Sequence, residues 1–527
     1  MKNWLIGSVA ALALLGACGG KDEGAASSAA GTEVTVGDIK IDALKLRGGN
    51  ASKAGDALAA MSLTSSGEGQ VSFADKSASG ADATFNDVSI NLGSETPVTA
   101  GALIFKGLDM TNDGASFSQM TLSNISVATP DEEGMLTVDS VQLTNPSPAL
   151  AAWVADMVNG GGEVPFPTLD KLSFDGLSMD GFSFPTEGIE ELNALELGKI
   201  NIRELSSEKV GAFVFEGLNV DGEDDGQPIK VSLESMAITG LTKDVMNLFA
   251  AGFAAGASGG DPEDILEEIS KFGPTNFGDP GYDQFNLDNF VVDAAGLGID
   301  LPSVDAVVTR DKQGRATRAV TNPFKFSVSA DPEGELGAQM AGPLAIMGYE
   351  TLNFSGASDS RMDPDADTIS ADSAANWFAL EDGFKLSLGM SATGLSEFYS
   401  KLAEDPENEQ QALVALGELS MNSIDLTFED NSIMEKAFTM AGALSGQDAA
   451  ALKSQAVAGV AFLPLAAGQA GVDAALAAEL GGALSSFLNN SGTLSISLNP
   501  AEAVTAADFQ DPTKLTKDRL GFSAKAE

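Results

Sequence analysis

The chain has 527 residues, 76 acidic against 29 basic, and a formal net charge of −47. That balance argues against nucleic acid as a partner, because phosphate binding needs clustered Lys and Arg. Histidine is absent altogether, which removes Ser-His-Asp and Cys-His triads, imidazole acid–base work and histidine-bearing zinc sites.

In chain order, residues 1–17 carry Lys2, an apolar run from Trp4 to Leu15 and then small residues, the order of a removable secretory signal that is too short for a permanent membrane span. Leu15-Gly16-Ala17-Cys18 resembles the lipobox of bacterial lipoproteins. The resemblance implies that Cys18 is diacylated, cut free and acylated again on its new amino group, a three-chain anchor that exceeds the two signals stable attachment needs. Gly19, rather than Asp, follows it, and the resemblance then implies the outer more than the inner membrane of the cell envelope. Cys18 is the single cysteine, so neither an internal disulfide nor a cysteine metal site is expected. Residues 18–33 are small and polar and read as a flexible tether.

The body shows strict alternation: Val34 and Val36, Ile39 and Ile41, Val88, Ile90 and Leu92, Ile229, Val231 and Leu233, Phe384, Leu386 and Leu388, Ile424, Leu426 and Phe428, Leu494, Ile496 and Leu498. Such stretches are antiparallel strands with one face on a core. Acidic, Gly-bearing turns at Asp131 to Gly134, Asp221 to Gly226 and Glu381 to Gly383 read as hairpin connections. Helices are expected at Ala149 to Val158, Lys243 to Ala255, Asp261 to Lys271 and Ser396 to Leu419, each excursion followed by a returning strand at Leu172 to Met179, Phe285 to Val292 and Met421 to Phe428.

Phe105-Lys-Gly-Leu108, Phe174-Asp-Gly-Leu177 and Phe215-Glu-Gly-Leu218 share a pattern, and Thr239-Gly240-Leu241 is echoed by Thr393-Gly394-Leu395. The expected fold is therefore α+β: mainly antiparallel β, with repeated hairpin–helix–strand units forming an elongated curved sheet. The expected divisions are a β-rich region with the first repeat at 34–194, a second repeat at 195–300 and a third at 301–430. An Ala- and Leu-rich part at 431–527 has helices at Ile433 to Leu444 and Asp448 to Leu488, with breaks expected at Pro464, Gly468 and Gly481-Gly482, and then a final strand. No segment after the signal is expected to reach the length of a membrane span, so the acyl groups are the expected anchor.

Candidate chemistry is sparse, and no cofactor is expected. Gly256-Ala-Ser258-Gly-Gly260 matches a nucleophile elbow formally but follows a helix and lacks a histidine partner. Ser206-Ser-Glu-Lys209 has the Ser-x-x-Lys spacing without a Lys-Thr-Gly partner, and reads as a surface turn. Asp363, Asp365 and Asp367 alternate like the first ligands of a calcium loop, yet Thr368 and Ala374 stand where Gly and Glu are required. A carboxylate-pair glycoside hydrolase needs only two acids. Such clefts use Trp and Tyr for stacking, however, and the chain has three of each against 28 Phe.

The expected function is a non-catalytic, membrane-anchored envelope lipoprotein with a structural or partner-binding role toward another envelope protein. Its alternative is binding or transport of lipid or another hydrophobic ligand along a β-built groove. Long β-built proteins that carry lipid between bacterial membranes are similar in outline.

Overall fold

Alternation became strand at every stretch named above that the structure describes. The computed structural model describes residues 34–37, 39–91, 97–128, 135–160, 164, 166–168, 170–184, 192–224, 226–242, 279–404, 415, 417–469, 471–505, 508 and 511–527. The signal, Cys18, the turn at 131–134, the helices expected within 243–271 and the motif at 256–260 lie outside the described residues, as does most of 405–416. The fold is mainly antiparallel β with helices toward the C-terminus, as expected. The chain divides into two compact units, Met1–Gly273 with Gln284–Phe290, and Pro274–Asp283 with Val291–Glu527.

The first unit opens with a short hairpin of β1 (Val34–Val36) and β2 (Ile39–Ile41), then helix α1 (Ala54–Ala60). Its sheet contains β3 (Val71–Ser72), β4 (Asp75–Ser79), β5 (Asp82–Ile90) and β6 (Val98–Lys106). After the side ribbon β7 (Asp109–Thr111) and β8 (Gly114–Ser116) come β9 (Gln119–Ala128) and β10 (Met135–Thr144). Helix α2 (Pro148–Asn159) precedes β11 (Phe174–Phe184), β12 (Leu192–Leu205), β13 (Lys209–Asp224), β14 (Gln227–Thr242) and β15 (Gln284–Ala294), which begins in this unit. The pairing runs antiparallel from β5 through β6, β9, β10, β11, β12 and β13 to β14. Helix α2 starts as its residues dictate. The Ser147 hydroxyl caps Leu150 N, Pro148 occupies the first turn where no N–H is needed, and Gly160 closes the helix at φ +88.

These strands share a pattern finer than the expected repeat. Each reads apolar, x, apolar, x, x, apolar, x, apolar: Ala83, Phe85, Val88 and Ile90; Val98, Ala100, Leu103 and Phe105; Met120, Leu122, Ile125 and Val127; Leu136, Val138, Val141 and Leu143. So do Leu177, Met179, Phe182 and Phe184; Leu195, Leu197, Ile200 and Ile202; Phe213, Phe215, Leu218 and Val220; Val231, Leu233, Met236 and Ile238; β15 joins with Phe285, Leu287 and Phe290. The register places the double-x positions side by side in one transverse seam, Asp87, Gly101, Asn124, Asp139, Gly181, Gly198, Gly217 and Glu234, where each ladder skips a pair. Asn289 joins the row, its amide donating to the Glu234 carboxylate.

Every second strand has its seam residue at positive φ: Asp87 (+49), Asn124 (+49), Gly181 (+67), Gly217 (+70) and Asn289 (+48). Only Asn, Asp and Gly occupy these places, the residues that tolerate the left-handed region best. Across the seam the apolar positions change parity together, so one face of the sheet stays apolar along the whole strand. The three Phe-x-Gly-Leu copies therefore do not occupy equivalent places. Gly217 sits in the seam, Gly107 lies just past the end of β6, and Gly176 is near the start of β11. Gly240 and Gly394 do agree, both at positive φ (+64 and +87), and Gly394 ends a strand directly before a helix.

The second unit contains β16 (Leu297–Arg310), β17 (Ala316–Ala330), α3 (Glu335–Met347), β18 (Thr351–Asp363), β19 (Thr368–Ala371), β20 (Trp377–Leu380) and β21 (Phe384–Thr393). It continues with α4 (Leu395–Glu404), β22 (Ser420–Asp430), α5 (Ile433–Ser445), α6 (Ala449–Ala461), α7 (Leu463–Gln469), α8 (Ala474–Asn490) and β23 (Gly492–Leu498). It ends with β24 (Val504–Thr505), α9 (Lys517–Leu520) and β25 (Ser523–Ala526). Strands β19 and β20 are two pieces of one strand between β18 and β21. Asn376 bridges the break: its Oδ1 accepts Asp359 N at 2.9 Å and its Nδ2 donates to Asp359 O at 3.0 Å, replacing the missing backbone partner. Arg310, at the end of β16, holds the segment before β15 by donating to Asp279, to Asp283 at 2.6 Å and to Tyr282 O at 3.0 Å. The two carboxylates hold its guanidinium charged. Strands β16 to β19 and helices α1 and α3 carry no clean signal in the sequence, α3 because Pro343 stands inside it.

Candidate functional site

Helices decide which part of the apolar face is core. In the first unit α1 and α2 pack on β5, β6, β9 and the end of β10, and there every apolar position of the pattern is buried except Val127. From β11 to β15 the same positions are only half-buried, Leu233 and Ile238 excepted. Phe182, Phe184, Phe213, Phe215 and Phe290 thus stand on a face that no described helix fills. Part of the opposite face of these strands is covered. Val36, Ile39 and Ile41 of the β1–β2 hairpin pack on Ala212, Val214 and Ala237, and Leu44 lies against Gly176, where a Cβ would meet Leu44 Cδ1 at 2.4 Å.

The second unit carries a comparable surface. Phe326 and Phe354, on adjacent strands, stack at 4.7 Å, Phe354 stacks on Phe378 at 5.5 Å, and Phe378 meets Phe384 at 6.3 Å. Phe384 stacks on Phe428 at 5.6 Å, and Phe428 meets Phe487 of α8 edge-on at 5.7 Å. At the α8 end the row enters a true core of Ala483, Phe487, Leu494, Val504, Leu520, Phe522 and Ala524. Away from it, Phe326, Phe354, Phe378 and Phe384 are half-exposed. Aromatic rows of this kind offer continuous, weakly polar contact area.

The residues singled out in the sequence are dispersed. Ser206 and Lys209 form the β12–β13 turn, the Ser206 hydroxyl accepting Lys209 N at 3.2 Å and donating to Lys209 O at 3.1 Å. Asp363 accepts Asp365 N and Ala366 N, Asp365 pairs with Arg315 at 2.9 Å, and Asp367 caps Ser396 N at 3.0 Å. The three carboxylates thus serve three separate local tasks, and among the described residues no group of three His, Cys, Asp or Glu is placed to hold a metal. Asp180, beside the seam, has its carboxyl pushed up by burial, against the pull of Lys199 and the Ser140 hydroxyl.

Two cavities of the first unit bear on the hydrolase alternative. One, of about 400 Å³, lies beside Asp113, Ser147 and Lys171; the other, of about 10 Å³, is lined by Thr144, Asn201 and Arg203 among others. Neither contains a pair of carboxylates.

One expectation is overturned. Ala449–Gln469 is a run of 21 residues, two helices joined at Phe462, with an 18-residue stretch of mean hydropathy 1.4 of which none is buried, long and apolar enough to cross a membrane by length and composition. The break at Pro464 does not shorten the run, because Pro464 falls in the first turn of α7, where a backbone N–H has no helical partner. Phe462 O accepts Leu465 N and Ala466 N across the joint.

A family model of an uncharacterized protein matches residues 377–527, the part that starts at β20 and holds α4 to α9 with β21 to β25. No curated protein matches the chain.

Proposed function

We propose that this chain is a non-catalytic envelope lipoprotein, held to the membrane through Cys18, whose half-open apolar β faces bind the acyl chains of lipid or another hydrophobic ligand. The half-burial of the patterned Phe, Leu, Met and Ile positions from β11 to β15 carries this reading. A closed core buries such side chains, as those of β5 and β6 are buried under α1 and α2. The stacked Phe row supports the same reading in the second unit. Each methylene taken from water contributes about 0.8 kcal/mol, so seating ten methylenes on such a face supplies about 8 kcal/mol before the entropy of ordering the chain is subtracted. The lipid anchor would place the body beside its ligand's source.

Native mass spectrometry of gently extracted protein tests this. Bound lipid is the expected result, and its loss in a Phe213→Asp/Phe215→Asp variant ties it to the face. A lipid-free species under the same extraction refutes the reading. The acidic surface favours a second reading, in which the chain is structural and meets a basic envelope protein. In-cell crosslinking separates the two, giving a protein adduct under this reading and lipid adducts under the first.

A further inference from the structure

Three of the orphaned polar atoms in the first unit converge on one small cavity behind the sheet. Thr144 Oγ1, Asn201 Oδ1 and Arg203 Nε are buried without a hydrogen-bond partner among the described residues, and all three residues line the cavity of about 10 Å³ between β10, β11 and β12. Thr144 pairs with Gly176 and Gly176 with Arg203 across adjacent strands, so these residues share one row of the back face, roofed by Leu44. Arg203 is only 6% exposed, and among the described residues no carboxylate pairs with it. Burial works against its charge. A buried, uncompensated guanidinium is costly, yet Arg remains protonated in proteins, so the charge has to be met by something else.

We propose that the cavity binds a single small monovalent anion of halide size, with Arg203 as its counter-charge. The lining groups suit that chemistry. Arg203 Nε–H and the Thr144 hydroxyl are donors without an acceptor. The Asn201 amide hydrogen-bonds to no described residue, and because its O and N ends are assigned rather than observed, turning it presents Nδ2–H to the same point. The neighbouring Gln142 amide and Ser178 hydroxyl supply further donors. A space of about 10 Å³ takes one particle near the size of a water. Gly176 is required beneath the roof, since any Cβ there would strike Leu44. The anion would also help seat the segment from Val34 to Arg47 on the back of the sheet.

The test compares thermal unfolding of the full chain in sodium chloride and in sodium gluconate at equal ionic strength, and locates bromide by anomalous diffraction in crystals grown with sodium bromide. The expected results are a midpoint about 2–4 °C higher in chloride, lost in Arg203→Leu, and a bromide peak beside the guanidinium. If Arg203→Leu does not fold, the bromide peak in the unaltered protein decides. A peak that refines as water only, with midpoints equal in the two salts, overturns the proposal.

Discussion

Asn124 isolates what the seam demands of a residue. It is exposed, sits in β9 at φ +49 and opposes Gly101 and Asp139, so replacing it disturbs no core. A residue with a Cβ in the left-handed region costs about 1–2 kcal/mol, least for Asn and Asp and most for β-branched side chains. Asn124→Val should therefore destabilise the first unit by about 1–2 kcal/mol. Asn124→Gly should stay within about 0.5 kcal/mol of the parent, the relief of φ strain offsetting the added chain entropy. Ser126→Val, two residues along the same strand but outside the left-handed region, is the control and should be neutral within about 0.5 kcal/mol. Urea unfolding of a chain beginning after residue 17, followed by Trp153 fluorescence in a Trp377→Phe background, reports the first unit, because Trp4 is then absent, Trp153 lies in that unit and Trp377 in the other. With a slope of about 2–3 kcal/mol per molar urea for a unit of this size, Asn124→Val lowers the midpoint by about 0.5 M. If Asn124→Val and Ser126→Val unfold together, the seam does not select its residues by backbone conformation.

Asn376→Ala removes the side chain that stands in for a backbone partner of Asp359 and should cost the second unit about 1–3 kcal/mol, read from Trp377 fluorescence; an unchanged midpoint would show the bridge to be incidental. Asp180 bears on pH. Because its folded carboxyl titrates above the unfolded value of about 3.9, ionisation opposes folding, and the penalty grows as pH rises from that value through the folded one. Asp180→Asn should therefore match or exceed the parent in stability at pH 7 and converge with it below about pH 4; a gap that opens on acidification contradicts the sign. Cys18→Ser should leave the unfolding midpoint unchanged and abolish incorporation of labelled palmitate into the protein, so a variant that still takes up the label would refute the anchor. Calorimetric titration with calcium should give no heat attributable to Asp363, Asp365 and Asp367; a signal lost in Asp365→Asn would restore that site.

Much of the strand content was readable from period-2 alternation alone, because a strand with one apolar face writes that face into its own residues. Hairpins at Asp221 to Gly226 and Glu381 to Gly383, helix α2 with its Ser147-Pro148 start, and helices α5 to α8 were legible for the same reason: caps, turns and periodicity are local. The seam was legible in principle and easily missed. The slip between Phe85 and Val88, or between Phe215 and Leu218, looks like the end of one alternating run when a strand is read alone, and the more visible Phe-x-Gly-Leu repeat has glycines that fold into three different places. Strands β16 to β19 were hidden by the opposite cause. Their faces are half-exposed on both sides, and Pro302 and Pro323 interrupt the alternation where the β16–β17 register shifts.

The sequence by itself determined the class of the fold and the phase of the strands that alternate cleanly, since each depends on a few neighbouring side chains. Only the tertiary structure decided that the nine slips align in one row, that α1 and α2 bury the apolar face over β5, β6, β9 and the end of β10, that five phenylalanines of the second unit stack across strands, and that Arg203 lies buried with no counter-charge among the described residues. Each of these depends on register between segments far apart in the chain. No local pattern encodes which strand will lie beside which, or where the covering helices stop.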